Sequence, residues 1–222
     1  MKVGTDGVLL GAWCSVEAYP DTILDVGAGT GVISLMLAQR SDAMTIDAVE
    51  VDESAYEQTV QNFEASDWGD RLYGYHASFR EFANEIAEEQ ETYDLIVSNP
   101  PFYTEDFETD NDARNKARFT SSLSFEELLT GISKILSEKG LFTTIIPFNE
   151  ERDFVLLAAK NNLFLNRVCR VQGNATSAVK RSLLEFSFHE KDIEETSLII
   201  EISRHQYTPE YINLTKDFYL KM

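Results

Sequence analysis

Two short runs in this chain hold residues whose types and spacing suit chemistry. The first is Asp25-Val26-Gly27-Ala28-Gly29-Thr30-Gly31, set between a stretch that reads as a strand and one that reads as a helix. Alternate glycines let the backbone turn tightly and let a ligand approach the main chain where a Cβ would otherwise stand. The unpaired N–H groups at the start of the following helix attract a negatively charged ligand group. A dinucleotide fingerprint beginning at Gly27 would require glycine at position 32, and the chain has Val32 there, which argues against NAD. About twenty residues after the loop, Ala48-Val49-Glu50-Val51-Asp52 ends a second strand, where a carboxylate can accept both hydroxyls of a ribose. The second run is Asn99-Pro100-Pro101-Phe102, directly after the apolar stretch Tyr93–Ser98. Its prolines fix the backbone and remove N–H donors. The Asn99 side-chain oxygen and the Pro100 carbonyl remain as acceptors. Phe102, or Tyr103 as the alternative, can stack on a planar ring. Taken singly, these runs also read as a glycine-rich turn and a strand stopped by proline. Roughly seventy residues apart in one fold, they read together as a site.

The elements that must position them alternate. Strand-like stretches at Thr22–Gly27, Thr45–Val51, Arg71–Ser78, Tyr93–Ser98 and Leu141–Phe148 are interleaved with helical ones at Val32–Arg40, Glu53–Ala65, Phe79–Gln90, Phe125–Lys139 and Glu150–Lys160. The fourth helix is expected to end at Gly140. Such alternation implies right-handed parallel crossovers with helices on both faces of one sheet, an α/β doubly wound fold. Strands around Arg167–Val171, Ser182–His189 and Leu198–Ser203 follow without helices between them, so the sheet should close with an antiparallel C-terminal hairpin. No internal repeat or Gly/Ser linker interrupts the chain, which is expected to form one domain over residues 1–222. The polar stretch Thr104–Arg118 is too long to be a mere connection.

Composition narrows the setting. Of 222 residues 43% are hydrophobic, enough for one large core. No apolar run approaches the ~18–20 residues that span a bilayer, so no membrane partner is expected. Cys14 and Cys169 are far apart, which suits a reducing cytoplasm. His76, His189 and His205 are scattered without ligand spacing, and no metal site is expected. The formal charge of −19 runs against nucleic-acid binding in general and demands a local basic patch on an acidic body if RNA is to be held. The candidates are Arg114, Lys116 and Arg118, with Arg167, Arg170, Lys180 and Arg181 nearer the C-terminus.

The D-x-G-x-G-x-G spacing resembles the first motif of class I methyltransferases, whose loop wraps the methionine and ribose of S-adenosylmethionine. Asn99-Pro100-Pro101-Phe102 resembles the catalytic motif of amino-methyltransferases. Met1-Lys2-Val3-Gly4-Thr5-Asp6-Gly7-Val8-Leu9-Leu10-Gly11-Ala12-Trp13 resembles a signature of bacterial tRNA1(Val) adenine-N6 methyltransferases. The likeness continues through Lys180-Arg181-Ser182-Leu183-Leu184-Glu185-Phe186 and Tyr207-Thr208-Pro209-Glu210-Tyr211 to Phe218-Tyr219-Leu220, essentially the whole chain.

This resemblance implies a Rossmann-like, mostly parallel seven-stranded sheet and methyl transfer from S-adenosylmethionine to N6 of adenosine 37 in a valine tRNA. It implies a cofactor set of Thr5, Asp6, Asp25, Gly27, Gly29, Gly31, Glu50, Ser78 and Asn99, with Glu50 on the ribose and Thr5 and Asp6 closing over the methionine end. Catalysis falls to Asn99, Pro100, Pro101 and Phe102. An aromatic exocyclic amine is a poor nucleophile because its lone pair is delocalised, and two acceptors on its N–H bonds favour a more tetrahedral nitrogen. Phosphate contacts are expected from Arg114, Lys116, Arg118, Lys180 and Arg181, in a monomer. The chain departs from the family in two places. Ser78 stands where an aspartate usually meets the adenine amino group, and the signature Met, internal in relatives, is the first residue here. The alternatives are an amino-methyltransferase acting on ribosomal RNA guanine N2 or protein glutamine, and a non-catalytic cofactor-binding scaffold for RNA modification.

Overall fold

The computed structural model describes residues 4–101 and 123–220. Helix α1 (Thr5–Trp13) leads into β1 (Thr22–Val26), α2 (Val32–Arg40), β2 (Thr45–Glu50), α3 (Glu53–Glu64), β3 (Leu72–His76), α4 (Phe79–Glu88) and β4 (Tyr93–Ser98). After the undescribed stretch come α5 (Phe125–Ile135), β5 (Leu136–Pro147), α6 (Glu151–Lys160), β6 (Phe164–Asn174), β7 (Val179–Ser187), β8 (Glu194–Ser203), the short β9 (Gln206–Tyr207) and α7 (Pro209–Thr215).

One sheet runs in the order β3-β2-β1-β4-β5-β7-β6-β8-β9. The strands from β3 to β5 are parallel, and β7 lies antiparallel between β5 and β6 as the expected hairpin. Leu198–Ser203, also read as a strand, lies in β8, which is parallel to β6; with the unread β9, antiparallel to β8, the sheet has nine strands where seven were expected. Alternation of side chains along a strand sends neighbours to opposite faces. In β1, Ile23 joins a core with Leu9, Leu10, Ile33, Leu37 and Tyr211, whereas Leu24 joins one with Phe79, Phe82, Leu128, Ile132 and Phe154. Helices α1, α2 and α7 therefore cover one face, and α4, α5 and α6 the other.

Local chemistry sets the helix starts. Asp52 caps α3 by accepting the Ala55 N–H, Ser124 and Glu127 form a reciprocal capping box on α5, and Thr208 caps α7 with Pro209 in its first turn. The helix expected over Phe125–Lys139 stops earlier than the sequence suggests. It ends at Ile135, and Leu136 already pairs with Tyr93 as part of β5, so Gly140 is not its cap. Burial of Leu136 against β4 outweighs the helical preference of the polar residues after it. Helix α1, unread in the sequence, is apolar nearly all round, with Gly7 to Ala12 buried. At Gly11 an added Cβ would lie 2.8 Å from Met36 Sδ, a close approach that lets α1 press against α2.

Candidate active site

Strand register brings the two motifs together. Val26 aligns with Val49 on one side and with Ser98 on the other. Gly27, Glu50 and Asn99 are the next residues of their three strands, so they emerge side by side at one edge of the sheet. Neighbouring strands lie about 4.8 Å apart, which places a carboxylate and an amide on either side of the glycine loop. This edge is also the switch point of the topology, where β2 lies on one side of β1 and β4 on the other, the position at which doubly wound sheets bind ligands. Side-chain and backbone bonds tie the strand ends together: Ser98 Oγ donates to the Val26 carbonyl at 2.9 Å and the Gly27 N–H to the Val49 carbonyl at 2.9 Å.

The loop is held from below and outside. Gly27, Gly29 and Gly31 have φ of +73°, +61° and +73°, the left-handed region that residues with a Cβ rarely enter. Asp25 lies beneath them, fully buried. Its Oδ2 accepts the Ser34 O–H at 2.7 Å and the Ser34 N–H at 3.2 Å, bracing the first turn of α2, while its Oδ1 has no partner among the described residues. Burial pushes the Asp25 carboxyl up to about 6 despite the Ser34 bonds that pull it down. From α3, Thr59 Oγ1 donates to the Gly29 carbonyl at 2.9 Å and Asn62 Nδ2 to the Thr30 carbonyl at 2.8 Å. Ser34, Thr59 and Asn62 escaped the sequence reading because their roles depend on which helix faces the loop. An added Cβ at Gly27 would meet nothing within 4 Å, so the space above this glycine is open.

Glu50 is fixed by backbone donors: Oε2 accepts the Gly29 N–H at 2.9 Å, and Oε1 accepts the N–H groups of Val51 at 2.8 Å and Asp52 at 2.9 Å. A carboxylate offers about four lone-pair sites, so with three N–H groups bound one remains, on Oε2, for a ribose hydroxyl. The loop and Glu50 thus fit the nucleoside end of S-adenosylmethionine: a bound acceptor beside an open glycine turn. Ser78 is occupied otherwise. It caps α4, its hydroxyl donating to Glu81 Oε2 at 2.6 Å and accepting the Glu81 N–H at 3.3 Å. Its hydroxyl is therefore committed to the helix, and what this position can still offer a ligand is main chain.

Asn99 is half-buried, Pro100 buried and Pro101 exposed. Phe102 and Tyr103 lie outside the described residues, as do Arg114, Lys116 and Arg118. The first turn of α1 comes up against Asn99: an added Cβ at Gly7 would lie 4.0 Å from Asn99 Nδ2 and 3.6 Å from Val32 Cγ1. Thr5 and Asp6, expected at the methionine end, directly precede Gly7 and have other partners. Thr5 lines a separate pocket among the C-terminal strands, and Asp6 Oδ2 accepts from Arg181 Nε at 2.8 Å.

That ion pair joins two residues read from the sequence as belonging to different ligands, and it anchors the start of α1 to β7. Two further arginines of the C-terminal strands are paired too. Arg167 pairs with Glu185 at 3.3 Å and covers the Trp13 ring at 4.1 Å. Arg170 pairs with Glu151 at 2.7 Å and Glu195 at 2.8 Å. Arg167 and Arg170, read as available for phosphates, are thus each paired with a carboxylate, as Arg181 is. Lys180 is exposed.

Comparison with known proteins agrees with this geometry. A family model described as the methyltransferase small domain matches residues 12–120. A tRNA1(Val) (adenine(37)-N6)-methyltransferase of Christiangramia forsetii is 56% identical over all of this chain and 92% of its own length. One of the same name from Flavobacterium johnsoniae is 56% identical over all of this chain and 94% of its own. Among solved structures, a predicted O-methyltransferase from Agrobacterium tumefaciens superposes with a TM-score of 0.71 over 96% of each chain at 18% identity, a likeness of fold.

Proposed function

Because the chain belongs to the family of tRNA1(Val) (adenine(37)-N6)-methyltransferases, we propose that it transfers a methyl group from S-adenosylmethionine to N6 of adenosine 37 in that tRNA. The observation that carries the reading beyond family membership is the register that sets Gly27, Glu50 and Asn99 side by side at the switch point. Gly27, Gly29 and Gly31 hold the cofactor against the main chain, and Glu50 accepts a ribose hydroxyl. When bound, S-adenosylmethionine supplies a methyl group activated on a sulfonium. Asp25 acts through Ser34 as a positioning residue for the loop and α2 rather than as a direct contact.

Asn99 Oδ1 and the Pro100 carbonyl accept the two N–H bonds of the adenine amino group, which holds the nitrogen and turns its lone pair toward the reacting methyl. Pro100 and Pro101 keep that carbonyl in place, and Phe102 stacks on the base once it has left its own stack. Most of the acceleration on this reading is positioning. The first turn of α1, whose Gly7 faces the Asn99 amide, forms a wall of the site on this reading.

The phosphate contacts on this reading are Lys180 and Arg181, the latter shared with Asp6, together with Arg114, Lys116 and Arg118. The enzyme acts as a monomer in the cytoplasm, where its tRNA is found. Among the described residues no helix is long and apolar enough to cross a membrane. Mass spectrometry of tRNA nucleosides from cells with and without the gene tests the function directly. Loss of N6-methyladenosine from tRNA1(Val) alone is the expected result. Unchanged N6-methyladenosine in that tRNA would overturn it, and a change in ribosomal RNA or in protein glutamine would redirect it.

A further inference from the structure

A second cavity, of about 330 Å³, opens near the carboxyl ends of β6 and β8, lined by Tyr207, Tyr211, Tyr219, Glu201 and Thr5 among others. Both strands run in the same direction as β5, so the cavity lies along the edge of the sheet that carries Asn99. Helix α1 separates the two places: Thr5 lines the cavity, and Gly7, two residues on, backs Asn99. Thr5 and Gly7 are about 200° apart around the helix, so the cavity and Asn99 lie on opposite sides of α1, whose diameter of about 10 Å is within the reach of adjacent splayed nucleotides.

We propose that this cavity receives an unpaired nucleobase flanking the adenosine presented to Asn99. The inference rests on the RNA-methylation reading above. Its walls are aromatic and pre-arranged: the Tyr207 and Tyr211 rings lie 5.2 Å apart at 39°, and the Tyr211 and Tyr219 hydroxyls are 3.3 Å apart. The volume is at the lower end of the ~300–1,000 Å³ found for small-ligand sites, which suits one heterocycle and not a run of nucleotides. Charge selects the part of the RNA. Glu201 holds a negative charge in the wall, which repels a phosphate and accepts from the amino or imino N–H groups of a base edge. One Glu201 oxygen accepts the His205 N–H at 3.2 Å, and the other has no partner among the described residues.

Turning out one base breaks its stack on the next, and an aromatic cavity on the other side of α1 gives that neighbour a new surface. For a chain of net charge −19, stacking has the further merit of gripping RNA without relying on attraction to phosphate.

The test pairs a change in the protein with one in the RNA. Methyl transfer is measured with tRNA1(Val) and with tRNAs made abasic at either nucleotide flanking the target. For the wild type, one abasic substitution should raise the tRNA KM about ten-fold. Tyr207→Ala should raise KM for intact tRNA to a similar extent, with kcat and S-adenosylmethionine affinity unchanged, and should no longer respond to that abasic site. Tyr207→Phe should behave as wild type. Glu201→Gln, which keeps the shape of the wall, should alter preference among bases at the flanking position. Penalties that simply add, or a Tyr207→Ala enzyme with wild-type KM, would overturn the pocket alone. Absence of transfer to intact tRNA by the wild type would overturn the tRNA reading and the cavity's occupant with it.

Discussion

Gly27→Ala and Gly31→Ala place the same methyl group on two residues with the same φ of +73°, yet the surroundings predict different failures. A residue with a Cβ in the left-handed region costs about 1–2 kcal/mol. At Gly27 nothing else is added, because no atom lies within 4 Å of the new Cβ. At Gly31 the new Cβ would sit 2.6 Å from Phe63 Cε1 and 3.1 Å from Thr59 Cγ2, and Phe63 is itself in the core. Overpacking of that kind adds about 1–3 kcal/mol, for a total of about 2–5 kcal/mol. Urea unfolding should therefore rank wild type above Gly27→Ala and Gly27→Ala well above Gly31→Ala. Binding should separate them further. The methyl of Gly27→Ala projects into the open space assigned to the cofactor, so titration calorimetry with S-adenosylmethionine should show at least a ten-fold loss of affinity in a protein that is still folded. Wild-type affinity in Gly27→Ala would refute the placement of the cofactor above that glycine. Equal stability of the two variants would refute the packing of Phe63 against the loop.

Further outcomes follow from the same geometry. Asn99→Ala should leave S-adenosylmethionine affinity within a few-fold and lose about 2–4 kcal/mol of transition-state stabilisation, by analogy with removal of a preorganised hydrogen-bonding group. Single-turnover rates near wild type would remove Asn99 from the reaction. The folded Asp25 carboxyl keeps its proton up to about pH 6 and the unfolded one only to about 3.8, so folded protein binds more protons in that window and its stability falls as pH rises through it. The difference corresponds to about 3 kcal/mol. Asp25→Asn should gain on the wild type across that range in denaturant midpoints, and parallel pH curves would refute a neutral buried carboxyl. Replacing Arg114, Lys116 and Arg118 together with alanine should flatten a log-affinity against log-salt slope of roughly −2 to −3 and leave cofactor binding intact. An unchanged slope would place the phosphate contacts elsewhere.

What the sequence determined by itself was whatever depends on neighbours along the chain. The glycines declare a left-handed turn because no other residue enters it cheaply, and the structure has Gly27, Gly29 and Gly31 there. Val32–Arg40 and Tyr93–Ser98 were readable to the residue, because a glycine turn bounds the one and prolines the other. The order of strands and helices was enough for a doubly wound sheet with a closing hairpin. The limit is seen at Phe125–Lys139, where the last four residues fit a helix until burial of Leu136 beside Tyr93 makes them strand. It is seen again at α1, whose apolar residues have no helical stripe because nearly every side of it is covered.

The site divides in the same way. Asn99 and Glu50 could be named from their positions at strand ends, but only register, fixed by pairing between distant strands, sets them on either side of Gly27. Ser78 could be noted as unusual, and its cap on α4 is a local bond to Glu81 three residues on, a Ser-x-x-Glu pattern that the sequence itself carries. Charge was the least legible property. A basic residue in a sequence is a free cation until its neighbours are known, and Arg167, Arg170 and Arg181 each acquire a carboxylate from another element, which for Arg181 lies at the far end of the chain. Tertiary structure alone decided that, because ion pairing falls off with distance through space and takes no account of distance along the sequence.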